Sequence, residues 1–271
     1  MNIKNYFALT LFSLLLLISS CVNLTSFEVV DVINVNNLSQ TLEHVTVVSV
    51  VDGDTFKILE SSNSVRIIGI DTPEIHEGSK PIGEFGEDAK NYLENFVSKY
   101  DIYILKMGYD NYGRILAYVF GKVDEQNYAF YESSILKAGL ARPLIYFDND
   151  DPYLTPKIVG GYNYAFEKKV GIFSKWSTAP ILRSANNYLS YIGKIVFLEG
   201  TVQDVWSDSS FWHISSSWFT ISIRKEEYYY FFNGYDLNNL KGKTVRFYGE
   251  LWEYNGEPEI LLRSPNEIVI L

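Results

Sequence analysis

Four carboxylates and two arginines carry the chemistry that this sequence suggests. In VVDGDTFKI, residues 50–58, Asp52 and Asp54 stand two apart, so a regular strand would turn both to one face. Gly53 between them predicts a bulge or tight bend. In VRIIGIDTPE, residues 65–74, Asp71 follows an apolar run and precedes Thr72-Pro73, where the chain must turn, with Glu74 next. If the two stretches pair as strands, these carboxylates gather at one end of a sheet. Crowded carboxylates repel unless a positive charge sits among them. A hard cation such as Ca²⁺ takes carboxylate, carbonyl and water oxygens, all of which this set offers. Arg66 is five residues before Asp71. That odd offset places the two on opposite faces of a regular strand, and only a bend would bring them together.

A third stretch, DNYGRILAY at residues 110–118, puts Arg114 just after a Gly turn. A guanidinium binds phosphate through paired hydrogen bonds, so two arginines beside a metal would clamp a phosphate. Phosphodiester cleavage needs an activated water and stabilisation of developing charge, and residue types for each role are present. A plainer reading stands beside this one: Asp-Gly and Asp-Thr-Pro favour turns, and a lone arginine is commonly a surface residue. His44, His76 and His213 lack zinc-ligand spacing, and no His-Glu-x-x-His run occurs.

The elements needed to hold these residues are mostly β. The chain has 271 residues, 47% of them hydrophobic and 16% aromatic, which suits half-buried pleated faces. HVTVVSVVDGDTFKIL, SVRIIGI, DIYILKM and RILAYVF read as strands. GEDAKNYLENFVSKY has apolar residues at helical spacing, YESSILKAGLA reads as a short helix closed by Gly139, and YNYAFEKKVGIF as another ending at Gly171. From about Ala185 come five strand candidates with a helical or irregular piece, EEYYYFFNG, before the fourth, the pattern of a small OB-type barrel. The fold class expected is therefore mainly β with helices: an OB-fold barrel over 44–180 and a second OB-like β domain over 185–271.

Net charge is −10, and neither half is basic, at −5 over 44–180 and −3 over 181–271. An acidic chain is a poor general binder of nucleic acid, so phosphate chemistry must rest on a local site. The N-terminus has Lys4, an apolar run and the small residues Ser19 and Ser20 before Cys21, the chain's single cysteine. LLISSC resembles a bacterial lipoprotein signal, which implies removal of residues 1–20, a lipid on Cys21 and export to a cell or outer membrane. An uncleaved anchor helix is the other reading. Residues 21–43, polar and rich in Asn, Ser and Val, read as a tether.

VVDGDTFKI, VRIIGIDTPE, DNYGRILAY, LKAGLAR and EKKVGIFSKW, in this order, resemble the thermonuclease family of staphylococcal-nuclease-like domains over 44–176. The resemblance implies an OB-fold barrel with three helices that hydrolyses DNA and RNA with Ca²⁺ and leaves 3′-phosphates. It implies metal ligation by the carboxylates of Asp54 and Asp71 and the carbonyl of Thr72. It assigns Glu74 to the attacking water, Arg66 and Arg114 to the scissile phosphate, and Asp52 to support of the metal. Tyr112 and Tyr146 match substrate-side tyrosines. The chain departs from the staphylococcal pattern at Asn111, where a lysine is usual, and in its acidity. The C-terminal unit resembles small OB-fold nucleic-acid-binding domains. The expectation is an exported Ca²⁺-dependent nuclease; its rival is a non-catalytic nucleic-acid- or protein-binding surface lipoprotein on the same fold.

Overall fold

The computed structural model of the chain describes residues 30–38, 40–78 and 80–271. The expected signal over 1–20 and Cys21 lie outside the described residues. No helix among the described residues is long and apolar enough to cross a membrane.

The expected tether to residue 43 is corrected by the structure. Residues 31–34 form a strand, β1 (Asp31–Asn34), paired antiparallel with residues 127–130, and Ile33 is buried. The Asp31 N–H donates to Ser134 Oγ at 2.9 Å, and Lys137 Nζ lies 2.9 Å from Asp31 Oδ1. A four-residue strand with one buried side chain carries too little apolar pattern to stand out, so its pairing is decided by the partner strand.

Next come β2 (Glu43–Val45), β3 (Val47–Asp52), β4 (Thr55–Ile58), β5 (Ser64–Ile67) and β6 (Gly69–Asp71). After α1 (Gly86–Lys99) follow β7 (Ile102–Tyr109), β8 (Ile115–Lys122), β9 (Asn127–Phe130), α2 (Tyr131–Lys137), β10 (Arg142–Leu144) and α3 (Thr155–Lys168). One sheet runs β1-β9-β8-β5-β4-β3, with β7 joining β8 to β2, and β5 and β8 are parallel. β6 leaves that sheet to pair with β10, setting Asp71 opposite Arg142. Phe56, Val65, Ile67, Leu93, Phe96 and Phe120 fill the space between sheet and helices.

The helix expected from Tyr162 to Gly171 begins earlier, at Thr155, and ends at Lys168, with Lys169 in the left-handed region at φ 55°. It runs through Gly160 and Gly161 despite their poor helix propensity. A Cβ on Gly161 would meet the Ser133 carbonyl at 2.9 Å, so the glycine permits close packing of α3 on α2.

The second unit starts at Ile181 rather than at Ala185. β11 (Ile181–Leu182) runs parallel to β12 (Ile195–Thr201), and the Phe197 N–H donates to the Pro180 carbonyl at 2.8 Å. Then come β13 (Asp204–Ser207), β14 (Phe211–Ser215), β15 (Thr220–Arg224), α4 (Lys225–Phe231), β16 (Thr244–Glu250), β17 (Trp252–Tyr254), β18 (Glu257–Leu261) and β19 (Ile268–Ile270). They form two sheets, β11-β12-β16-β19 and β13-β14-β15-β18-β17. The fold is thus mixed β with helices, with additional C-terminal sheets.

The two units share a buried boundary. Trp176 packs tilted against Tyr248 and edge-on to Phe197, with ring centroids 4.9 and 5.2 Å apart. Arg142 Nη1 contacts Glu250 Oε2 at 2.5 Å, both side chains being more than nine-tenths buried. Tyr162 donates to Glu267, also buried. A buried ion pair gains little over apolar packing, but losing one partner strands the other charge. Arg142→Ala is therefore expected to destabilise the chain by about 3–5 kcal/mol in urea unfolding. The paired change Arg142→Met with Glu250→Leu should unfold at or above the wild-type midpoint.

Candidate active site

A cleft of about 650 Å³ opens where β4, β5 and β6 meet the loops before β8 and after β10. Its walls include Asp52, Asp54, Arg66, Asp71, Glu74, Tyr112, Arg114 and Tyr146, so these expected site residues converge, while the Thr72 N–H and hydroxyl turn to Asp54.

The β3–β4 turn supplies the first carboxylates. A Cβ on Gly53 would lie 2.7 Å from Ala89 Cβ and 2.9 Å from Thr72 Cγ2, so only glycine lets α1 press against this turn. Tyr131 Oη donates to the Gly53 carbonyl at 2.6 Å from the other side. Asp52 Oδ1 accepts the Asp54 N–H at 3.1 Å. Asp54 Oδ2 accepts from the Thr72 N–H at 2.9 Å and the Thr72 hydroxyl at 3.0 Å, while Thr55 Oγ1 donates to Oδ1 at 3.0 Å. Thr72 thus fixes the Asp54 carboxylate through two donors.

Arg66 and Asp71 meet because the chain bends between β5 and β6. Gly69 adopts φ 79°, a conformation that other residues rarely take. The bend overrides the odd spacing: Arg66 Nη2 donates to the Ile70 carbonyl at 3.1 Å and lies 3.5 Å from Asp71 Oδ1, and its Nη1 pairs with Asp54 Oδ1. Arg66 therefore stands between the two buried aspartates.

Two cations at this site escaped the sequence reading. Lys80 Nζ lies 2.7 Å from Asp71 Oδ1 and 3.1 Å from Glu74 Oε1. Its place six residues after Glu74 and just before Pro81 was the only available signal. Arg263 Nη2, from the far end of the chain, lies 3.7 Å from Asp71 Oδ2. Burial works against the charged form of Asp71, yet Lys80, Arg66 and Arg263 outweigh it and hold this carboxyl below the usual range. Burial, reinforced by the neighbouring Asp54 charge, pushes Asp52 up to about 7.

Arg114 is oriented by Asp110, which accepts from its Nε at 2.7 Å and its backbone N–H at 2.8 Å. Tyr112 is 87% exposed at the rim, with the Arg114 guanidinium 5.7 Å from its ring. Tyr146, half-exposed, lies under Arg224 of the second unit, 4.4 Å from ring to guanidinium.

No three acidic, His or Cys side chains among the described residues form a ready-made metal centre. The donor chemistry nevertheless fits a hard cation. The Lys80 ammonium shows that Asp71 and Glu74 converge on one positive charge, with Asp54 reaching Asp71 through Arg66.

Comparison with known proteins places this geometry. The family model described as Staphylococcal nuclease homologue matches residues 64–175, a span that holds Arg66, Asp71, Glu74 and Arg114 but begins after Asp54. An uncharacterized protein of Methanocaldococcus jannaschii is 30% identical over 168 residues, covering 53% of this chain and 78% of that protein. The SPbeta prophage-derived endonuclease YokF of Bacillus subtilis is 32% identical, covering 49% of this chain and 45% of its own length. A thermonuclease of Staphylococcus hyicus is 32% identical, covering 38% of this chain and 60% of its own length. The chain thus spans only about half to three-fifths of these named nucleases.

Asp52 yields a pH prediction. Its proton leaves near 3.8 in the unfolded chain and near 7 in the fold. The stability from this group is therefore full below the lower value and is lost as pH rises through the higher one. In chelator, the urea midpoint should fall less between about pH 4 and about pH 8 for Asp52→Asn than for wild type. Parallel curves for the two proteins would contradict the assignment.

Proposed function

We propose, from the match of residues 64–175 to the family described as Staphylococcal nuclease homologue, that the chain is a Ca²⁺-dependent nuclease hydrolysing phosphodiester bonds of DNA or RNA to 3′-phosphate products. The observation that carries this reading is the convergence of Arg66, Asp71, Glu74 and Arg114 on one cleft with Asp54 beside them.

In this reading Asp54 and Asp71 hold the metal through carboxylates, with the Thr72 carbonyl as a third ligand. When bound, Ca²⁺ supplies positive charge that acidifies water and steadies the phosphate. Glu74, about one-third exposed at the cleft, positions the attacking water and takes its proton. Arg114, held in plane by Asp110, pairs with the phosphate oxygens as charge builds on them. Arg66 adds a second guanidinium from below and keeps Asp54 and Asp71 from repelling. Tyr112 and Tyr146 border the substrate.

The C-terminal unit is read as an OB-type domain. The antiparallel pairing of β12 with β16, the parallel pairing of β15 with β18 and the helix between β15 and β16 support this. The proposal also keeps a signal over 1–20 and lipid anchoring at Cys21 of an exported two-domain protein, on the strength of the LLISSC motif.

The deciding experiment incubates residues 22–271 with single- and double-stranded DNA and RNA, with Ca²⁺ and with chelator. Ca²⁺-dependent cleavage leaving 3′-phosphates is expected. Glu74→Gln and Arg114→Ala should each lower kcat by about 10²–10⁴-fold with an unchanged circular dichroism spectrum. Binding without cleavage by the wild-type protein would favour the non-catalytic module.

A further inference from the structure

We infer that Arg263, supplied by the C-terminal unit, is a positioning residue for the nuclease site, orienting the Asp71 carboxylate through an Asp71–Arg263–Glu227 bridge; this rests on the nuclease reading above. The Asp71 carboxylate is divided between two environments. Its Oδ1 faces the cleft-lining Lys80 and Arg66, and its Oδ2 faces Arg263 Nη2 at 3.7 Å. On its far side Arg263 Nη1 stands 3.5 Å from Glu227 Oε2. The other Glu227 oxygen accepts the Ile145 N–H at 3.2 Å, just past β10, the strand paired with β6 that carries Asp71. The bridge thus leaves the nuclease unit at Asp71, passes through two residues of the second unit and returns beside the partner strand.

The bridge is poorly explained by stability. The Arg263 and Glu227 side chains are only 3% and 0% exposed, yet Arg263 Nε and Nη1 and Glu227 Oε2 make no hydrogen bond among the described residues. Ion pairs so buried, with loose contacts, gain little over apolar side chains of the same size. What the arrangement does secure is direction. The Arg263 N–H donates to Glu267 Oε2 at 2.7 Å, and Glu267 accepts from Tyr162 of α3, so the backbone carrying the guanidinium is tied to the nuclease unit. A guanidinium fixed at its root and flanked by two carboxylates places positive charge on the Oδ2 side of Asp71 and so favours one orientation of that carboxylate. Residues one step behind a metal ligand commonly determine whether the ligand points correctly.

Replacing Arg263 and Glu227 together leaves the net charge of the chain unchanged, and Arg263→Lys keeps the local charge facing Asp71, so the pair of variants separates orientation from charge. The test compares wild type, Arg263→Met/Glu227→Gln and Arg263→Lys in the full exported chain. Ca²⁺ affinity is read by calorimetry, kcat and KM on a DNA oligonucleotide, and folding by urea midpoint. The double variant should weaken Ca²⁺ binding by about 10–100-fold and lower kcat with little change in KM, while unfolding near the wild-type midpoint. Arg263→Lys keeps the charge but cannot span both carboxylates, and should show the same split to a smaller degree. Wild-type Ca²⁺ affinity and kcat in either folded variant would overturn the positioning role and leave the nuclease reading intact. A wild-type protein that neither binds Ca²⁺ nor cleaves would overturn both.

Discussion

Arg66 lies between Asp54 and Asp71, two aspartates with less than a tenth of their surface exposed. The guanidinium between them offsets the repulsion of two carboxylates at this depth. Much of the first unit serves that contact. The Gly69 bend turns β6 back so that Asp71 meets Arg66, Thr72 locks Asp54 with two hydrogen bonds, and α1 and Tyr131 hold the Gly53 turn from opposite sides. The hydrophobic core beneath supplies rigidity, so the charged residues need no adjustment of their own to face the cleft.

The same logic extends across the boundary between the units. Arg142 with Glu250, Tyr162 with Glu267 and Asp71 with Arg263 are buried polar contacts across this boundary, which also holds the aromatic cluster of Trp176, Phe197 and Tyr248. Apolar packing holds the units together; the polar contacts accept only one relative register, because a shift would leave charges buried and unpaired. The Asp71 side of the cleft is thereby in contact with a unit that lies outside the matched family span.

The chain as a whole carries ten excess negative charges, while Arg66, Lys80, Arg114, Arg224 and Arg263 gather in and around one cleft. A polyanion would meet general repulsion, and because the cleft itself is lined by six carboxylates beside Arg66, Lys80 and Arg114, attraction there rests on contact with those individual cations. The Debye length of about 8 Å at physiological salt confines both effects to the immediate surface. In the proposed reading, recognition therefore rests on the cleft and its tyrosine rim rather than on broad electrostatic capture.

Sequence and tertiary structure determined different things here. The residue types of the site, Asp54, Arg66, Asp71, Glu74 and Arg114, were legible because each stands in a local motif whose strand and turn pattern is written in adjacent residues. The same holds for α1 and α2, where apolar spacing or a flanking turn signal is short-range. The early start of α3 was hidden because its two glycines make sense only against α2, and β1 was hidden because its pairing depends on a strand nearly a hundred residues away. Whether Arg66 could reach Asp71 was undecidable from spacing, since one positive φ at Gly69 reversed the expected faces. Lys80 and Arg263 became part of the site only when a loop and a distant strand end were brought to Asp71. A sequence determines which charges a chain owns, whereas their partners depend on distances between residues far apart along it, and only the folded packing sets those distances.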